Sequence, residues 1–244
     1  MNLRYKPHHY QWILHFGLAN VILGFALVIF GTSWLWLLGS FIVYSFMAMI
    51  NSAGFHRLFA HRSYTTTPFW EAFLLFCGTL TSYGSSFVWC VVHHQHHKHS
   101  DTERDPHKFD SVKSIFTANY EMNKVDYSAK KVIRKLMDKP YHSFVHRHYW
   151  AFPIAFSLIL GLISLKALVF LYWAPIGLVI LSAGIFNYIA HNENGPTNTA
   201  YYALQASGEW RHKLHHEQPW RWDLREKWYH LDPAAYFIRL IKND

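Results

Sequence analysis

The chain has 244 residues, of which only 16% are charged and 18% are aromatic, and its formal net charge is +8. Long apolar runs alternating with basic, His-rich stretches exclude an ordinary soluble domain. The lysines and arginines flank the apolar runs, so the positive charge points to a membrane surface and away from nucleic acid.

In chain order the apolar runs are Trp12–Phe30, Trp34–Ile50, Phe69–Val92, Trp150–Leu165 and Ala167–Ala190. A spanning helix needs roughly 17–25 residues. Gly31-Thr32-Ser33 joins the first two into a hairpin, and Lys166 alone divides the last two, giving a second hairpin. Phe69–Val92 carries Glu71 and a polar centre from Thr79 to Ser86, so it reads as a membrane-associated helix that does not cross. The pattern predicts an all-α membrane protein, with four transmembrane helices at 12–30, 34–50, 150–165 and 167–190 and a helical cap on one side. Residues 1–244 read as one domain, and 127–137 reads as a basic amphipathic helix on an anionic membrane surface.

Charge supports that count. With four spans, the N-terminal tail, the long loop and the C-terminal segment hold 2, 13 and 7 of the Lys and Arg, so 22 of 23 share one face. The positive-inside rule makes that face cytoplasmic. The basic start MNLRYKPHHY is followed by no small-residue cleavage site, so no cleavable signal is expected. Cys77 and Cys90 have no CxxC pairing and read as small buried residues.

Three histidine clusters fall on the cytoplasmic side: His56 and His61 as HxxxxH; His93, His96 and His97 as HxxHH; and His212, His215 and His216 preceded by Glu209 as ExxHxxHH. On a helix each HxxHH aims three imidazoles at one region. Asn187 and His191, spaced i, i+4 at the end of the last span, add a fourth element. Nine His and one Asn are too many for one ion and suit two first-row ions, with iron, zinc or copper compatible.

These boxes in this order, with "HRLFAHRSY" at 56–64, "HHKHSDTERDPH" at 96–107, "NYIAH" at 187–191, "GEWRHKLHH" at 208–216 and "WYHLDPAAYFIRLI" at 228–241, resemble the integral-membrane fatty acid desaturases of the stearoyl/delta-9 type. The resemblance implies two Fe ions. One is held by His56, His61, His93, His97 and His215, and the other by His96, His191, His212 and His216, with Asn187 reaching its metal through water. His94, His99 and His107 are expected to shape and solvate the loop, and His8, His9, His142, His146, His148 and His230 to be interfacial or surface groups.

An unactivated methylene offers no acidic proton and no electrophile, so removing its hydrogens requires oxygen activated at reducible metal. The resemblance therefore implies O2 as co-substrate, a fatty acyl-CoA or acyl-lipid substrate in the bilayer, and electrons from a ferredoxin or cytochrome b5-type donor. Tyr44, Met47 and Trp89 are candidate tunnel residues. Two other readings stay open: a lipid hydroxylase or ketolase with a similar site, and a His-rich metal transporter. The transporter predicts polar residues along the spans, which here carry almost none.

Overall fold

The computed structural model describes residues 8–117, 126, 131–199 and 207–243, with the backbone alone at 8–15. Helix α1 covers His8–Ile29. After a turn at Gly31, whose φ is +129°, α2 runs from Leu35 to Ala60, 26 residues. It is α-helical to Asn51 and a π-helix over Ser52–Ala60. The apolar pattern ends this helix at Ile50, but the chain continues helically for ten more residues. Tertiary packing explains the extension, because every residue from Ser52 to Ala60 is buried. Gly54 seats against Leu74, and Gly78 against the Phe55 ring.

Helices α3 (Pro68–Leu80) and α4 (Ser86–His99) replace the single dipping helix expected over Phe69–Val92. The break lies at 81–85, where Ser82 and Gly84 take positive φ. Thr67 caps α3 ahead of Pro68, and Ser85 caps α4 by accepting from Val88 N–H. α5 (Val112–Thr117), α6 (Arg134–Met137) and α7 (Pro140–Arg147) follow. The helix expected over 127–137 falls partly outside the described residues; within them α6 is a single turn.

α8 (Ala151–Ile163) and α9 (Leu165–Ala190) meet at Ser164, whose side chain caps α9. Lys166 thus lies in the first turn of α9 and not between helices. A two-residue ladder pairs His191–Asn192 with Gly195–Pro196. The short α10 (His212–Glu217) and the closing α11 (Pro233–Ile241) complete the chain.

Among the described residues, two helices are long and apolar enough to cross a membrane, α2 and α9. α8 has 13 residues, about 20 Å of rise, which is short of a hydrocarbon core of about 30 Å. The outer faces of α1, α2 and α8 expose Ile22, Phe25, Leu38, Phe41, Leu158 and Leu162. Large outward-facing apolar faces of this kind fit contact with lipid. α1 and α9 cross where Gly17 meets Gly177, and a Cβ on either would land on the other's backbone. The core, with Ile50, Phe55, Phe59, Leu74, Phe87, Tyr172 and Ile180, lies between the inner ends of α2 and α9 and helices α3 and α4. The histidines sit directly above it.

Candidate metal centre

The π-helix decides how the first box is presented. In an α-helix, residues five apart point about 140° away from each other. In a π-helix the i→i+5 bond stacks them. Here His61 N–H donates to His56 C=O at 3.1 Å, so that bond joins the two histidines. On α4, His93 and His97 stand one turn apart on one face, and His96 points to a second region.

The potential ligand atoms form two groups, each within 4.8 Å. His56, His61, His93, His97 and His215 make the first, and His96, His191, His212 and His216 the second. In the first, His61 Nε2 lies 2.7 Å from His93 Nε2, and His215 Nε2 lies 2.9 Å from both His56 Nε2 and His97 Nε2. In the second, His212 Nε2 is the hub, 2.8 Å from His191 Nε2 and 3.1 Å from His216 Nε2. Two nitrogens sharing an ion at about 2.1 Å and a right angle stand roughly 3 Å apart.

Hydrogen bonding alone does not account for these contacts. His56 Nδ1 donates to Glu209 Oε1, His96 Nδ1 to Asp105 Oδ2 and His191 Nδ1 to Asp101 Oδ2, each at 2.9 Å. A neutral ring that donates through Nδ1 has only a lone pair at Nε2. Each hub nitrogen carries at most one proton, yet it faces two others. His96 Nε2 is buried with no hydrogen-bond partner among the described residues. Converging lone pairs, three of them on rings backed by carboxylates, are the donor set of a metal site. Burial, reinforced by neighbouring imidazoles, pushes His93, His97, His212 and His215 below the ordinary histidine value, and His216 down to about 2. Neutral rings are what coordination needs.

Arg57 braces the first group. It is almost fully buried, and its guanidinium donates to Asp232 Oδ2 at 2.8 Å, Glu209 Oε1 at 3.2 Å and the Trp222 and Ser207 carbonyls at 2.6 and 3.2 Å. Ser52 Oγ also donates to Glu209 Oε1, at 2.5 Å. Burial works to raise the Glu209 pKa, but His56 and Arg57 overcome it and hold the carboxyl at about 2. Glu209 therefore keeps its charge where His56 needs an acceptor.

One cavity of about 130 Å³ reaches both groups, touching His56 and His93 of the first and His96 and His212 of the second. Its other walls include Ala48, Asn51, Trp89, Val92, Val179 and Phe186. Trp89 lines it and stacks on His93 with ring centroids 4.5 Å apart. Tyr44 and Met47 do not line it; they are buried in the core, and Ala48 and Asn51 take the wall instead. Asn187 lines the cavity, with its Nδ2 donating to Ala183 C=O at 2.8 Å.

Several histidines differ from expectation. His142 and His146 are buried, where the sequence suggested interfacial or surface groups: His146 Nδ1 lies 2.6 Å from Ser85 Oγ and His142 Nδ1 lies 3.0 Å from Ser86 Oγ. His230 is buried as well, while His8 and His9 have no described side chains. His107 lines the cavity, and its backbone N–H donates to Asp105. His94 Nε2 donates to Ala60 C=O at 2.7 Å and is spent there. Asp101 and Asp105 went unassigned from sequence; a carboxylate four and eight residues after a box, in a DxxxDP turn, was the available signal.

No protein-family model matches the chain. Curated proteins do. Over 203 residues, 77% of this chain, it is 28% identical to a sn-1 stearoyl-lipid 9-desaturase of Synechocystis. Over 255 residues, 93% of this chain, it is 26% identical to the stearoyl-CoA desaturase of Homo sapiens. An acyl-CoA C20 Delta5-desaturase of Anemone leveillei is 25% identical over 248 residues. The match takes in 63% of the length of the Synechocystis protein and 68% of the human one. With its two histidine groups meeting at one cavity, this chain is similar over most of its length to the membrane fatty acid desaturases, most of those relatives being of the delta-9 type.

Proposed function

We propose that the chain, as a single domain over 1–244, catalyses oxygen-dependent desaturation of a fatty acyl chain at a di-iron centre. His56, His61, His93, His97 and His215 hold one iron. His96, His191, His212 and His216 hold the other, with Asn187 reaching it through water. The observation that carries this reading is the pair of hubs, His215 and His212, whose lone pairs converge beside one cavity that touches both groups. Bound iron would supply the oxidising power, drawn from O2 and external electrons, that an unactivated C–H bond demands.

The chain's own residues position and enclose. Trp89, Val92, Val179 and Phe186 give the acyl chain an apolar wall and exclude water near the reacting carbons. Trp89, stacked on His93, fixes how closely the chain passes. Glu209, Asp101 and Asp105 hold their imidazoles in the tautomer that presents Nε2. Four spans, with α1 and α8 completing the two hairpins, place both termini and the histidines on the cytoplasmic side. An acyl-CoA or acyl-lipid then extends from that side into the bilayer, and a ferredoxin or cytochrome b5-type donor delivers electrons there. Delta-9 selectivity follows the stearoyl-type relatives, though the Anemone relative carries a Delta5 name.

Expression in a host lacking the activity, followed by fatty acid profiling, tests this. A new monounsaturated chain is expected. No new product with iron and reductant supplied would overturn the assignment, and an oxygen-added main product would replace it with hydroxylation.

A further inference from the structure

The closing helix exposes the wrong face for a cap surrounded only by water. α11 buries Ala234, Ala235, Ile238 and Ile241 and turns Tyr236, Arg239 and Leu240 outward. Leu240 is 82% exposed, and in the loop before the helix Trp228 is 92% exposed beside Tyr229 and Leu231. The loop is not loose: Trp210 Nε1 donates to Leu231 C=O at 2.8 Å, and Tyr229 rings against Trp228 and His230. An ordered surface that holds a tryptophan and a leucine outward is costly in water.

Its neighbours point to what covers it. The end of α11 is tied to the strand-like stretch before α3: Asn243 N–H donates to Thr65 C=O, and Thr66 Oγ1 donates to Ile241 C=O. The Phe237 ring meets Trp70 of α3 edge-on. α3 in turn exposes Phe69, Ala72 and Phe76, an i, i+3, i+7 stripe with no polar member. The outward surface therefore runs from a wholly apolar face on α3 to a mixed one on α11. There aromatic and aliphatic side chains alternate with exposed Lys227 and Arg239. That gradient matches a bilayer from acyl chains to headgroups, with Trp and Tyr at the boundary and cations at the phosphates.

We propose that α11 and the loop Trp228–Leu231 lie in the headgroup region of the bilayer, gripping anionic lipid through Lys227 and Arg239. The seat is coupled to the metal centre, because Asp232, which caps α11 by accepting from Ala235 N–H, also accepts from Arg57, the brace of Glu209. The proposal rests on the membrane placement given above and not on which reaction the histidines serve.

Nitroxide accessibility tests it. A spin label at Leu240→Cys, in a Cys77→Ala, Cys90→Ala background reconstituted into nanodiscs with and without anionic lipid, is compared with one at Lys98→Cys. The ratio of accessibility to oxygen over a water-soluble nickel chelate is expected to be several-fold higher at 240 than at 98. A Lys227→Glu, Arg239→Glu variant is expected to lower that ratio in anionic discs while leaving neutral discs unchanged. Equal ratios at the two sites would overturn the proposal. So would a label at 240 shielded from both reagents, which would mean a protein contact. Fatty acid products are not part of this readout, so the desaturase assignment and the membrane seat fail separately.

Discussion

The five-histidine and four-histidine groups draw on the same α4 and the same α10, yet carboxylates reach them by different routes. Glu209 serves the first group from within a buried lattice with Arg57, Ser52 and Asp232, which pins α2 to the closing segment. Asp101 and Asp105 serve the second from the short turn directly after α4, where Asp105 is buried and also accepts from the backbone N–H of Asp101 and His107. The first support is part of the fold, and the second is a local loop. Losing the first should cost structure across the fold as well as metal, whereas losing the second should cost metal and only the local order of one turn.

The largest effect is expected at the hubs. His215→Ala and His212→Ala each remove a nitrogen that faces two others, so metal content should fall from two ions per chain to one and activity should vanish. Iron quantification beside Mössbauer spectroscopy would show which subsite is lost. A hub variant that kept both irons would break the ligand assignment.

The supports come next. Asp105→Asn should weaken the second site by about 10–100-fold in metal affinity and leave the first intact. Glu209→Gln should weaken the first site by a similar factor and also destabilise the protein by about 3 kcal/mol, since it uncouples the buried Arg57. Thermal unfolding of the metal-free proteins separates the two: equal melting shifts for both variants would erase the contrast.

Acid should act in the same direction on both groups. The folded His216 titrates at about 2, against about 6.5 when unfolded. Between those values the unfolded chain binds the proton that the folded one refuses, so this contribution is full above pH 6.5 and shrinks as pH falls towards 2. Metal-free protein should melt lower at pH 5 than at pH 7, and bound metal should dissociate along the same slope. The smallest effect is expected at His94: His94→Ala removes one bond to Ala60 C=O, costs about 1 kcal/mol and leaves metal content unchanged.

Much of this was legible in the sequence, and the misses share a cause. Spacing names the histidines of HxxHH and ExxHxxHH but not their division: it aims each triplet at one region, whereas His96 parts from His93 and His97, and His215 from His212 and His216. Asp101 and Asp105 are harder to read, because the DxxxDP turn alone signals that the chain folds back to set them beside His191 and His96. The TSYGSS stretch at 81–86 carried turn chemistry that should have divided the run into α3 and α4. The burial of His142 and His146 is invisible in the sequence, because spacing does not show that Ser86 and Ser85 bond them. For the cavity wall, Ala48 and Asn51 replaced Met47 and Tyr44, since rotation of a nearly all-apolar helix has no polar face to read.

The π segment of α2 has a consequence for chain length between ligands. It delivers His56 and His61 to one face although four residues separate them, because its repeat is one residue longer than that of an α-helix. Removing one residue between them and letting the segment relax to α geometry would restore i, i+4 and aim the same two rings the same way. Loop length and helix type are thus interchangeable solutions to one phase condition. A single-residue deletion at 58–60 would keep the aim of both rings and exact its cost in the core, where Leu58, Phe59 and Ala60 are all buried.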